Sequence, residues 1–112
     1  MKNIALFVKD FQKGTELSAS LTARDMKVTF AESIYDLPNN CQIGIIDLDD
    51  TKFGNYQFIS ELNDQAQLIL IGYMDKVQKE IQEQMKMAGC RIVIPKASIM
   101  KNVQSLIEGL SK

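Results

Sequence analysis

Five short apolar runs, separated by segments of helical periodicity, constrain this chain more than any other feature. Two of them, IALFV and LILI, are apolar at every position, as strands buried on both faces are. Strands that alternate with helices form a parallel sheet joined by right-handed crossovers, with helices on its faces. The pattern therefore predicts an α/β fold, a three-layer doubly wound domain. The predicted strands are Ile4–Val8, Lys27–Phe30, Gln42–Asp47, Gln67–Gly72 and Arg91–Ile94.

The segments after the strands predict five helices. In the fourth of them, Asp75 and Gln78 fit a capping box and Gly89 fits a helix end. Ser98 is the predicted N-cap of the last helix. With 112 residues, the chain is predicted to be a single domain, 1–112. The other predicted helices are Thr15–Met26, Asn55–Leu62 and a short, weaker Glu32–Leu37.

Composition excludes several classes of function. The net charge of −1 gives no electrostatic case for nucleic acid or an anionic membrane as a partner. The longest apolar run, Leu68–Met74, has the length of a strand, far below the ~18 residues of a membrane helix. Cys41 and Cys90 stand outside any CxxC motif, which predicts reduced thiols in a cytoplasmic protein. The chain has no histidine, so His-based triads and most zinc sites are excluded.

The carboxyl ends of the predicted strands collect the polar residues that carry chemistry. In open parallel sheets these ends share one crevice, where ligands bind. The first strand delivers Lys9 and Asp10 there, and the third delivers Asp47, which Asp49 and Asp50 follow. The first turn has neither a GxGxxG nor a GxxxxGK[ST] motif, and it lacks hydroxyl residues for a flavin phosphate. Nucleotide and flavin binding are therefore not supported.

This arrangement resembles the receiver domain of two-component response regulators, the CheY-like family, over essentially the whole chain. Asp47, in the apolar setting IGIID, falls on the family's phosphoacceptor aspartate. Val8-Lys9-Asp10 falls on the family's acidic pair: Asp10 matches the second acid, and Lys9 replaces the first. The resemblance implies a flavodoxin-like five-stranded sheet with strand order 2-1-3-4-5 and a role in two-component phosphorelay signalling.

The chain departs from the family at three further positions. Gly72 falls where receivers keep a threonine or serine, and Arg91 falls where many keep a switch aromatic. Ile94-Pro95 falls on the family's Lys-Pro pair, so the lysine is lost while Pro95 implies a cis peptide bond. Asp10 and Asp47 are what survives of the usual site. The pattern resembles an atypical receiver, or pseudo-receiver, a fold kept for protein docking after its phosphorylation site has degenerated.

The replacement of the first acid by Lys9 affects the expected binding of Mg²⁺. Phosphotransfer to an aspartate requires a Mg²⁺ that bridges phosphoryl and carboxylate oxygens. Asp10 and Asp47 alone are predicted to bind Mg²⁺ weakly, and no other cofactor is expected. Lys9 has two interpretations: an internal cation that neutralises both carboxylates in place of the metal, or a side chain that points into solvent.

The resemblance also implies a protein partner and no enzymatic activity. The expected docking surface is the face of the fourth helix, fifth strand and fifth helix, and a second copy of the chain is one candidate partner. Tyr73 and Met74, after the fourth strand, fit either an exposed docking surface or local packing.

Two alternatives remain open at the level of sequence. The first is a receiver that is still phosphorylated with Mg²⁺. The second rests on Asp47-Leu-Asp-Asp-Thr51, which resembles the DxDxT motif of haloacid-dehalogenase phosphatases, where Asp47 would be the nucleophile and Asp49 the general acid/base. That family carries the motif on its first strand, whereas two strands precede it here. Asp49 and Asp50 fit solvated helix caps better than metal ligands.

Overall fold

The computed structural model describes residues 3–8 and 11–110 of the chain, which form a single sheet covered by helices. The strands are β1 (Asn3–Phe7), β2 (Lys27–Phe30), β3 (Cys41–Asp47), β4 (Ile69–Met74) and β5 (Cys90–Pro95). The helices are α1 (Phe11–Thr22), α2 (Tyr56–Ala66), α3 (Lys79–Ala88) and α4 (Lys96–Leu110), with a 3₁₀ turn at Ile34–Asp36.

The sheet confirms the predicted architecture. All neighbouring strands are parallel, in the order β2-β1-β3-β4-β5. Two apolar clusters lie on its opposite faces. The first packs α2 and α3 against the sheet through residues such as Ile59, Leu62 and Met85. The second packs α1 and α4 through Leu17 and Val103, among others. Burial on both faces explains why the central strands are apolar throughout.

The fourth strand lies two residues further along the chain than the sequence predicts. Gln67 adopts a left-handed conformation (φ 54°) and caps the end of α2, so that β4 begins only at Ile69 and continues to Met74. In β5, Leu70 pairs with Cys90 and Ile71 with Ile92, which leaves Arg91 as an extra, bulged residue.

Several predicted helix boundaries are wrong. The predicted second helix is only the 3₁₀ turn, at whose start the side chains of Ser33 and Asp36 form a capping box. Helix α3 begins at Lys79 and its N-cap residue Gln78 makes no side-chain hydrogen bond, so the predicted capping box is absent. Ser98 lies inside α4 and is not its N-cap. The predicted end of α3 at Gly89 is confirmed, with φ 141° and backbone bonds to the last turn.

Helix α1 is displaced toward the N-terminus relative to its prediction. It spans Phe11–Thr22 instead of Thr15–Met26. The sequence pattern places Gly14 in a loop, because glycine disfavours helix interiors. In the structure Gly14 lies within the helix, and a Cβ there would be 2.6 Å from Cε1 of Phe30. The glycine therefore serves the close approach of α1 to β2, a tertiary contact.

The predicted cis peptide bond at Ile94-Pro95 is wrong, because this bond is trans. Strand β5 extends through Pro95, which pairs with Met74, and α4 begins at the next residue. Since the extended strand passes directly into the helix, the backbone makes no separate turn at which a cis bond would be needed. Proline suits such an edge-strand position just before a helix.

Within the described ranges, 3–8 and 11–110, no helix combines the length and the apolar character needed to cross a membrane.

Candidate functional site at the carboxyl edge of the sheet

Asp47 ends the central strand β3 and is the one buried charged residue in the described part of the chain. Only 4% of its surface is exposed. Because side chains alternate along a strand, Asp47 lies on the same face as Ile43 and Ile45, the face covered by α1 and α4. Its Oδ1 accepts a hydrogen bond from the backbone N–H of Asp49 at 3.0 Å. The carboxylate is therefore held at the strand end.

The register of the sheet aligns Asp47 with Tyr73 and, one strand further, with Ile94. Asp47 pairs with Tyr73 on β4, and Tyr73 pairs with Ile94 on β5. Residues paired in parallel strands point to the same face, so these three side chains lie in one row. Tyr73 is 1% exposed, and Ile94 is half-buried in the same apolar cluster. Toward β4, the carboxylate is thus followed by an aromatic and then by an aliphatic side chain.

Gly72 occupies a different place from the one that the sequence suggests. It pairs with Ile46, one residue before Asp47, and it faces the opposite side of the sheet. A Cβ at Gly72 would lie 2.6 Å from Cδ1 of Leu48, which fills this position. Tyr73, and not Gly72, is the β4 residue beside Asp47. The sequence did contain an indication of this position for Tyr73. The apolar run LILIGYM continues to Met74, and a strand that followed the whole run would have placed Tyr73 beside Asp47.

Tyr73 and Met74 are both buried, at 1% and 4% exposure. They lie on opposite faces, Tyr73 toward α1 and α4 and Met74 toward α2 and α3. The packing interpretation of this pair is thereby confirmed, and the exposed docking surface is wrong. The backbone of Tyr73 also contacts the neighbouring loop, because its carbonyl accepts from Leu48 N–H at 2.9 Å.

Asp49 joins the two loops that border this site. Its backbone N–H donates to Asp47, and its own Oδ2 accepts from the backbone N–H of Asp75 at 2.8 Å. Asp75 begins the β4–α3 loop, so a chain of two hydrogen bonds runs from the buried carboxylate to the segment before α3. The hydrogen-bond partner of Asp49 lies 26 residues away in the chain, so the local sequence pattern did not reveal it, and Asp49 was predicted to be a helix cap instead.

We expect Asp49→Ala to loosen the β4–α3 loop. Losing a charge-assisted bond at an exposed loop should cost about 1 kcal/mol locally, seen as faster hydrogen exchange of the Asp75 amide. Asp50→Ala is the matched control, because Asp50 Oδ1 accepts only within its own loop, from Lys52 N–H at 2.9 Å. Unchanged exchange at Asp75 in Asp49→Ala would contradict this role.

The N-cap of α2 is Asn55, whereas the sequence predicted Asp49 and Asp50 as helix caps. Its side-chain oxygen accepts from Phe58 N–H at 2.8 Å. Its Nδ2 donates to the carbonyl oxygens of Thr51 and Lys52, at 3.1 and 2.9 Å. Asp50 instead closes the preceding turn, where its carbonyl accepts from Gly54 N–H at 2.7 Å. Neither Asp49 nor Asp50 caps this helix.

Two of the predicted site residues, Lys9 and Asp10, lie outside the described residues. The hypotheses that Lys9 is an internal cation and that Asp10 binds Mg²⁺ with Asp47 therefore stay predictions. Among the described residues, no group of three or more acidic or cysteine side chains is arranged to hold a metal ion.

Arg91 and Lys96 both lie at the surface. Arg91 is exposed because the bulge in β5 removes it from the pairing with β4. Lys96, the first residue of α4, is partly buried. Arg91, which the resemblance aligns with the switch aromatic, is therefore a solvated cation.

The two cysteines are free thiols. Burial raises the pKa of Cys90 to about 12. Burial also raises the pKa of the half-buried Cys41 above its usual value, against weaker opposing effects of backbone hydrogen bonds. Because the thiolate is the reactive form, neither cysteine is an activated nucleophile.

Comparison with known proteins gives matches at the level of structure. No family model and no curated protein sequence matches the chain. A CheY-like receiver domain from Methanospirillum hungatei JF-1 is similar with a TM-score of 0.79 at 14% identity, over 97% of this chain and 92% of that one. A response regulator from Thermotoga maritima is similar with a TM-score of 0.78 at 10% identity, over 96% and 98%. HP1043, an orphan response regulator of H. pylori, is similar with a TM-score of 0.74 at 14% identity, over 93% of this chain and 94% of that one.

Proposed function

Because the chain has the fold of response-regulator receiver domains, we propose that it is a receiver-type signalling domain that acts by binding proteins, without phosphorylation of Asp47. The observation that carries this proposal is the row Asp47–Tyr73–Ile94. The resemblance expects a small hydroxyl residue and a lysine beside the phosphoacceptor, and this chain has a large aromatic and an aliphatic side chain there.

The chemistry of a phosphoryl group supports this proposal. A phosphoryl group brings about −1.5 to −2 charges and three strongly accepting oxygens. Placed on Asp47, it would lie beside Tyr73, and in this row neither β4 nor β5 supplies a cation to offset its charge. Burying such a charge without a partner is costly. We therefore expect no stable phosphoaspartate and only weak Mg²⁺ binding.

The phosphatase alternative loses support from Asp49. That mechanism needs the second aspartate of the motif as a free general acid/base. Here the Asp49 carboxylate accepts from the Asp75 amide at 2.8 Å, and so has a structural partner. We accordingly propose no enzymatic activity. The free thiols fit a reducing compartment, and we propose the cytoplasm.

We place the docking surface on the face formed by α3, β5 and α4, which corresponds to the face expected from the resemblance. Met87 on α3 is 77% exposed and offers an apolar contact at this surface. Exposed cations lie close to Met87 in the sequence, among them Lys86 and Arg91. These features favour a protein partner with an apolar contact and acidic groups, rather than a nucleic acid, because the acids Glu80 and Glu83 interrupt the positive charge.

Phosphorylation can be tested directly. The ¹⁵N-labelled chain is titrated with Mg²⁺ and then with acetyl phosphate or beryllium fluoride, and amide spectra are recorded. Once acetyl phosphate or beryllium fluoride is added, we expect no further shifts at Asp47, Tyr73 or Ile94, whereas a receiver with an intact site, run in parallel, should respond. Shifts clustered at these residues that disappear in Asp47→Asn would overturn the proposal and establish the phosphorylatable alternative.

A further inference from the structure

The charges of this chain are segregated along its sequence although they nearly cancel overall. Residues 32–64 carry seven acidic residues and a single basic one, Lys52. Residues 76–101 carry six basic residues and two acidic ones. The first range holds the 3₁₀ turn and α2, whereas the second holds α3, β5 and the start of α4. Apart from the buried Asp47, the acids of the first range are exposed or partly exposed, so the surface around the 3₁₀ turn and α2 is negative and complements cationic ligands.

A groove of about 450 Å³ lies on this negative surface, between the 3₁₀ turn and α2. We call it the acidic groove. Its floor contains the partly buried Ile34 and Phe58 and the buried Leu62. Polar side chains complete its walls, namely Ser33 and Gln65. An apolar floor with polar walls has the form of a pocket for one large apolar side chain.

The floor of the acidic groove is fixed by aromatic packing. The ring of Phe58 meets the ring of Phe7 edge to face, with centroids 5.6 Å apart. It also packs against Phe53 at 5.4 Å. Phe7 and Phe53 are buried, so they hold Phe58 from behind and leave its outer side to line the groove. Such a preformed surface reduces the ordering that binding would otherwise require.

The rim of the acidic groove is charged. Glu32 lies on the side of the 3₁₀ turn and Glu61 on α2. Lys52 closes one end, with its Nζ 3.6 Å from Glu32 and 5.6 Å from the ring centroid of Phe53. Exposed ion pairs of this kind are weak, so a cationic ligand could replace Lys52 at Glu32. Tyr35 stands at the edge with 93% of its surface exposed.

We propose that the acidic groove binds a basic peptide segment of a partner protein, anchored by one aliphatic or aromatic side chain. The anchor would fill the pocket over Phe58 and Leu62, and Lys or Arg residues beside it would pair with Glu32 and Glu61. The exposed ring of Tyr35 would cover the anchor. The site lies at α2 and the 3₁₀ turn, and so is separate from the docking face of α3, β5 and α4.

A second copy of the chain is a weaker occupant. Its basic surface around α3 would have to enter the acidic groove of the first copy. Two different surfaces would then be joined head to tail, which leaves a free groove at one end of the assembly unless the rotation between copies closes it into a ring. A separate basic peptide satisfies the same charges without this consequence.

Synthetic peptides test the proposal on the full chain. The probe is a peptide of about ten residues that alternates Lys or Arg with Leu. Control peptides replace all cations with Glu, or all Leu with Ser. In amide spectra, we expect the basic Leu peptide alone to shift residues 32–35 and 58–65, and to weaken as salt rises. Equal shifts from the acidic peptide, or shifts confined to other residues, would overturn the proposal.

Matched variants locate the binding site. Glu61→Lys should weaken binding of the basic Leu peptide several-fold, because it replaces an attraction at the rim by a repulsion. Glu83→Lys makes the same change on α3, outside the acidic groove, and should leave the affinity unchanged. Equal affinities for both variants would contradict the site. Shifts in the groove that grow with protein concentration and without peptide would identify a second copy as the occupant and likewise overturn the proposal.

Discussion

Gly54→Ala is expected to destabilise the protein by about 3 kcal/mol, because added bulk at a fully packed position forces the surrounding structure to move. A Cβ at Gly54 would overlap the carbonyl oxygen of Leu48 and lie 2.7 Å from its carbonyl carbon. The atoms it meets belong to the backbone, so no side-chain rotation relieves the overlap. Chemical denaturation followed by circular dichroism measures the loss.

Gly109→Ala is the matched control for this prediction. The same methyl group is added, but within 4 Å of the new Cβ there are no atoms, and the residue lies in α4. Because alanine favours a helix over glycine, this variant should be more stable by about 0.5–1 kcal/mol. Equal stability changes in the two variants would show that the approach of Leu48 to Gly54 does not constrain the fold.

The prediction for Gly54 also concerns the candidate site. Gly54 donates to the carbonyl of Asp50, in the loop that begins directly after Asp47 and contains Asp49. A displaced loop should therefore weaken the bond from the Asp75 amide to Asp49. In partly denaturing conditions, faster hydrogen exchange at Asp75 should accompany the loss of stability in Gly54→Ala.

Phe7→Ala is expected to cost about 3–5 kcal/mol, the usual range for emptying a buried phenylalanine site. Phe7 has no exposed surface and meets the rings of both Phe53 and Phe58. Since a domain of this kind is stabilised by about 5–15 kcal/mol in total, the variant should unfold at far lower denaturant concentration. It should also release Phe58, and so loosen the floor of the acidic groove.

Tyr35→Ala tests peptide binding in the acidic groove without disturbing the hydrophobic core. Tyr35 is 93% exposed, so its removal should change the free energy of unfolding by less than about 0.5 kcal/mol. It should nevertheless weaken binding of the basic Leu peptide, because Tyr35 covers the bound anchor. A large loss of stability in Tyr35→Ala, or none in Phe7→Ala, would contradict the packing described for this face.

The order of strands and helices was determined by the sequence alone. Apolar runs that alternate with helical periodicity can bury their surface only in a parallel sheet with helices on both faces, and the resemblance to receivers supplied the strand order. Asp47 was found for the same reason, because the first polar residue after IGII must lie at the end of a central buried strand. Gly89 was likewise found as a helix end, since the backbone there requires a glycine.

The partners of Asp47 were decided only by the tertiary structure. An apolar run such as LILIGYM does not fix where its strand begins, and the left-handed turn at Gln67 moves β4 so that Tyr73 takes the place assigned to Gly72. The bond from Asp75 to Asp49 and the trans bond at Pro95 also depend on how neighbouring strands end. Local pattern determines which residues are buried, but the register between strands determines which of them meet, because register is set by contacts between distant segments.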